Sequence, residues 1–183
     1  MELDEALQGR RSIRSYLTRE VSLELVRQVI EGAILAPSAK NGQQWRFTVL
    51  MGKPKKRLTD FFTRELEKTS KKIGKENMGS AFSSCSIMEH APTLIMIWNA
   101  GERGWETEVQ SVAAAIQNML LKAYSLGLGT LWIGEIFYAQ DALEHYFGKP
   151  WSLMAAVALG WPAEVPKPRP RKTIDEVAEF LAE

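Results

Sequence analysis

The chain has 183 residues, enough for one domain that buries roughly 70% of its unfolded surface. Its 23 basic side chains nearly balance 22 acidic ones, which argues against a general nucleic-acid binder. The single Cys85 excludes an intrachain disulfide and fits a reducing compartment, and two histidines are too few for a Cys/His zinc site.

Leu3 and Leu7 lie four apart and predict a short helix ending near Gly9. Arg10-Arg11-Ser12-Ile13-Arg14 follows, with three guanidiniums and a hydroxyl in five residues. Guanidiniums are forked, permanently charged donors that match phosphate oxygens, so the cluster suits a bound phosphate; a solvated basic turn is the plainer alternative. Ser22 is the expected N-cap of a helix whose core face is Leu25, Val26, Val29, Ile30, Ala33 and Ile34. Pro37 stops it, because the residue before a proline disfavours helical backbone. Ala36 to Gln44 then offers small and amide side chains, suited to hydrogen bonding with a flat polar heterocycle, though also good turn composition.

Trp45–Met51 alternates and reads as a strand. Residues 53–76 hold nine Lys or Arg against four acids, with Phe61, Phe62 and Leu66 as a thin apolar stripe. They read as a solvated amphipathic helix plus loop, with a mobile lid over a substrate site as the functional alternative. Thr93–Trp98 is a compact buried strand. The clearest helix runs from Glu106 to about Ser125, with an apolar stripe of Val109, Val112, Ala113, Ile116, Met119, Leu120 and Ala123. Thr130–Ile133 and Leu153–Leu159 read as further strands, and Pro162–Pro170 as an extended connector. The longest apolar stretches are strand-sized and far short of a membrane span. The acidic N-terminus lacks the apolar run of a signal peptide, so a soluble, cytoplasmic protein is expected.

Four segments together resemble the signatures of the nitroreductase family of FMN-dependent flavoenzymes. The pattern R-R-S-x-R reads Arg10, Arg11, Ser12 and Arg14. A-P-S-x-x-N-x-Q-P-W reads Ala36 to Trp45, with Gln44 in place of the usual proline. The small-residue turn into W-I-G is Gly127 to Gly134, and the last signature is Gly160-Trp161-Pro162-Ala163-Glu164 followed by Arg169, Pro170, Arg171 and Lys172. The four stand in family order and cover nearly the whole chain.

The resemblance implies a single α+β domain over residues 1–183, in three layers, with a mostly antiparallel sheet flanked by helices. It also implies an intertwined homodimer with two FMN sites between the subunits, and a middle region, 53–90, that varies between members. Arg10, Arg11, Ser12, Arg14, Arg169 and Arg171 would surround the FMN phosphate, with Arg11 the one expected to point elsewhere. Ser38 and Asn41 would approach the ring or its ribityl chain, and Pro37, Ser38 and Ala39 would come from the second subunit, partly through backbone atoms. Ile133 and Gly134 would present a backbone N–H to flavin N5. No catalytic side chain is named, because the flavin carries the hydride chemistry. The implied activity passes electrons from NADH or NADPH through FMN to a small planar acceptor such as a nitroaromatic or quinone. The alternatives are a flavin sensor without turnover, or other chemistry of the scaffold such as reductive dehalogenation or oxygen-dependent flavin breakdown.

Overall fold

The computed structural model describes residues 1–182. Its regular elements are α1 (Leu3–Gly9), α2 (Leu23–Ile34), β1 (Trp45–Met51), α3 (Gly52–Ile73), α4 (Ala81–His90), β2 (Thr93–Asn99), α5 (Glu106–Ser125), β3 (Gly129–Ile133), α6 (Gln140–Phe147) and β4 (Ser152–Gly160). The four strands form one fully antiparallel sheet in the order β1-β2-β4-β3. Helices α2 and α5 cover one face, and α3, α4 and α6 cover the other. The architecture is therefore the expected α+β sandwich of three layers.

Alternation along the strands divides the core in two. Leu94, Met96 and Trp98 of β2 point toward α3 and α4, whereas Ile95 and Ile97 point toward α2 and α5. All five are fully buried, and each large apolar side chain contributes about 1.5–3 kcal/mol by leaving water. The indole N–H of Trp98 is satisfied by Thr48 Oγ1 at 3.0 Å. Between β2 and β4 the register slips at Ile97/Trp98: Ile97 faces Ala155 and Trp98 faces Leu153, leaving Met154 as a bulge. The bulge lets Leu153 face the same layer as Ala156 and Ala158, while Ala155, Val157 and Leu159 face the other.

Ser22 caps α2 as expected, its Oγ accepting from the Leu25 N–H at 3.3 Å. Two expectations are corrected. In α5, Val109 is 44% exposed and Ala113 is only partly covered, while Glu108, Ser111 and Ala115 are buried. In α2, Ile34 is exposed. The α3 region is also more core-like than its composition implies: Leu58, Phe62 and Leu66, four residues apart, are fully buried as a ridge against α4. Cys85 sits on α4 in that layer, its Sγ 3.2 Å from Thr63 Oγ1. Burial pushes its thiol pKa up, which disfavours the reactive thiolate. Among the described residues no helix is long and apolar enough to cross a membrane.

Candidate cofactor site

The N-terminal arginines lie on the free edge of β3. After α1, residues 10–16 run extended: Ser12 bridges Thr130 in parallel, and the Ile13 N–H donates to the Thr130 carbonyl at 2.9 Å. Ile13 is buried, so alternation turns its neighbours Ser12 and Arg14 away from the core. The segment is braced from the far end of the chain. Glu164 Oε1 accepts the backbone N–H groups of Arg14 at 2.5 Å and Ser15 at 3.0 Å, and the Ala163 N–H donates to the Ser15 carbonyl at 3.0 Å. The Tyr16 hydroxyl donates to the Ile13 carbonyl at 2.8 Å, and burial, reinforced by the Glu164 charge, raises its pKa well above the ordinary phenol value.

This bracing opens a cavity of about 420 Å³ that collects Arg10, Arg11, Ser12 and Arg14 with Arg169 and Arg171. Lys167 adds a sixth cation, and no carboxylate lines the cavity. Like charges crowd here: burial, then the charges of Arg171 and Arg11, lower the Arg10 pKa below the usual arginine value. None of the six is ion-paired among the described residues. The guanidinium of Arg11 folds back onto the Gln8 and Arg10 carbonyls, at 2.6 and 2.8 Å, and so has fewer donors to offer a ligand. An unneutralised cluster of this kind is a site for a multiply charged anion.

Ile133 and Gly134 close the same edge. Ile133 ends β3 and is buried, whereas Gly134 is exposed, and a Cβ there would meet nothing within 4 Å. A flat ring can therefore lie directly on this backbone. Trp132 and Phe137, close to it in the chain, leave apolar rings 41% and 59% exposed, a feature that sequence reading missed. Glu135 contacts Ser80 Oγ, tying this turn to the link between α3 and α4.

Pro37, Ser38, Ala39 and Asn41 sit elsewhere. The Ala39 N–H donates to Ser111 Oγ on α5 at 3.0 Å, and Ser38 Oγ accepts the Gln43 N–H at 3.1 Å. The loop carries three non-glycine residues with positive φ, Lys40 (51°), Asn41 (53°) and Gln43 (47°), a conformation that surrounding contacts must hold in place. It leads into β1, and the sheet order puts β1 and β3 at opposite edges. Three inter-strand spacings of about 4.8 Å separate the edges, so the loop and the arginine cavity of one chain lie on opposite sides of the sheet. Gln44, at the position of the usual proline, is buried with its Oε1 unpartnered. Glu108, buried beside the same loop, was hidden within an apolar helical stripe, and its phase with Val112 and Ala115 was the available signal.

The family model for the nitroreductase family matches residues 7–161. A protein of Methanothermobacter thermautotrophicus named as an NADH dehydrogenase/NAD(P)H nitroreductase is 31% identical over 176 residues, covering 92% of this chain and 82% of that protein. The 5,6-dimethylbenzimidazole synthase of Rhodospirillum rubrum is 27% identical over 175 residues, covering 88% of this chain and 82% of the synthase. Among solved structures, a protein of Desulfovibrio desulfuricans described as a nitroreductase and crystallised with FMN superposes with a TM-score of 0.77 at 30% identity, covering 98% of this chain and 96% of that one. The chain belongs to the nitroreductase family, a class of flavin-dependent oxidoreductases.

Proposed function

We propose that the protein is an FMN-dependent oxidoreductase whose two active sites are each shared between the subunits of a homodimer. The observation that carries this reading is the cavity with six cations and no carboxylate, on the sheet edge whose strand β3 ends at the open backbone of Gly134. Arg10, Arg14, Arg169 and Arg171 hold the FMN phosphate with Ser12, and Arg11 braces the turn. The backbone of Ile133 and Gly134 faces the ring, with Trp132 and Phe137 excluding water around it. FMN supplies the redox chemistry, relaying electrons from NADH or NADPH to a small planar acceptor in ping-pong order.

Pro37, Ser38, Ala39 and Asn41 complete the ring half of the partner's site, which explains why one chain keeps the two halves on opposite sheet edges. Supporting this, Leu35 and Val109 near the loop are 81% and 44% exposed, and the apolar tail residues Ile174, Val177, Phe180 and Leu181 are exposed as well. Exposed apolar side chains at these positions suit a subunit contact. A two-fold axis would pair each loop with the other chain's arginine cavity. The lone buried thiol fits work in the cytoplasm.

Anaerobic mixing of the FMN-loaded protein with NADH or NADPH tests the reading. The flavin absorbance is expected to bleach, then recover on adding a nitroaromatic or quinone. A flavin that stays oxidised with both nucleotides identifies a sensor instead. The relative named as a dimethylbenzimidazole synthase favours one second reading, oxygen-dependent flavin breakdown. Exposing the reduced protein to air separates the two: an oxidoreductase returns intact FMN, whereas the alternative consumes it.

A further inference from the structure

A second cavity, of about 270 Å³, opens where the strained loop meets the start of α5, outside the cationic cavity. Its rim is Lys40, Arg103 and Trp105. The Arg103 guanidinium lies 4.5 Å from the Trp105 ring centroid and the Lys40 ammonium 5.2 Å from it. Cation–π attraction thus gathers two like charges on one indole that is 42% exposed. Glu102 and Glu108 also line the cavity, yet neither lies within 4 Å of the Lys40 or Arg103 charge, so neither cation is ion-paired among the described residues.

The arrangement is held from below. Glu108 is buried and its Oε1 accepts the Arg103 N–H at 3.4 Å, while the Gly101 N–H donates to Asn99 Oδ1 at 2.9 Å. A Cβ at Gly101 would lie 2.3 Å from Glu108 Oε2, so only glycine lets the carboxylate seat beneath the loop. Lys40 stands in the loop with a φ of 51°, and from there its ammonium reaches the Trp105 ring. It sits between Ala39 and Asn41, two of the residues assigned to the flavin ring, so a ligand at this rim meets the ring half of the site.

We propose that Lys40 and Arg103, gathered on Trp105, form an anion-recognition site that selects redox substrates bearing a carboxylate or phosphate group. The proposal rests on the flavoenzyme reading above for what the ligand does there. Its chemistry is shared by an aromatic carboxylate acceptor and by the 2′-phosphate that distinguishes NADPH from NADH, and the test separates them.

The FMN-loaded protein is titrated by calorimetry with two matched pairs, 4-nitrobenzoate against nitrobenzene and NADP⁺ against NAD⁺. In at least one pair, the member bearing the added carboxylate or 2′-phosphate is expected to bind about tenfold tighter. Arg103→Met and Lys40→Asn should each cut that preference roughly three- to tenfold and leave the member that lacks the carboxylate or 2′-phosphate unchanged. Asparagine suits the positive φ at position 40, so the second variant removes charge without new backbone strain. A preference confined to the benzoate pair identifies a carboxylate, and one confined to the nucleotide pair a phosphate ester. Equal binding within both pairs, or a preference that survives both substitutions, overturns the proposal. Calorimetry needs no turnover, so a protein that holds FMN but reduces nothing fails the reading above and still decides this one.

Discussion

Replacing Arg14 by alanine is expected to weaken FMN binding about 10- to 100-fold, as measured by fluorescence titration of the apoprotein. A hydrogen bond to a charged group is worth about 1.5–3 kcal/mol, and 1.4 kcal/mol is tenfold in affinity. The fold should be unaffected, since the ladder beside β3 uses the backbone of Ser12 and Ile13, and Glu164 holds Arg14 through its main-chain N–H. Arg11→Ala should cost much less, because that guanidinium is already spent on the Gln8 and Arg10 carbonyls. Equal losses from the two variants would mean that the cluster binds only by bulk charge. Unchanged affinity in Arg14→Ala would remove the cavity from the phosphate site altogether.

The second large effect concerns stability. Lys55 is buried on α3, and its ammonium donates to the carbonyls at the end of α4: Ala91 at 2.5 Å, Met88 at 3.3 Å, and Glu89. A cation at a helix C-terminus also complements the helix dipole. Lys55→Met keeps the length of the side chain and leaves three carbonyls without their donor, which should cost about 2–4 kcal/mol, read as a lower urea midpoint at unchanged slope. A shift equivalent to less than about 0.5 kcal/mol would show that water replaces the ammonium fully.

The pH dependence has a definite sign. Burial lowers the Lys55 pKa in the folded protein, opposed by the Glu89 charge. Just below the ordinary lysine range the unfolded chain therefore holds a proton that the folded chain has released. This group makes the native state relatively more stable as pH rises through that interval. Lys55→Met should abolish that contribution.

Much of this architecture can be read from the residues, and the failures have physical causes. Helices α2 and α5 are legible because long apolar side chains recur at helical spacing, and the strands because their side chains alternate or form short apolar runs. Helix α4 escapes notice because the residues it buries, Ala81, Ser84, Cys85 and Met88, are mostly small or weakly polar. Helix α6 has only eight residues and buries only Leu143. The ridge of α3 is masked by the lysines around it. At the site, the arginines stand out because their charge is a local property of the sequence. The bracing roles of Glu164 and Tyr16 do not, because they come from contacts made across the fold: Glu164 holds a segment about 150 residues away. Strand order is set by packing between layers, so the separation of loop from cavity had no signature in any one segment.

That separation has a genetic consequence. In the proposed dimer, each site takes its arginines from one chain and its ring loop from the other. Suppose one subunit carries a lesion in the cluster at 10–14 and its partner a lesion at 38–41. Both defects then fall in the same site, and the other site inherits two sound halves. Two individually inactive forms of the protein, expressed together, would restore part of the activity that neither has alone.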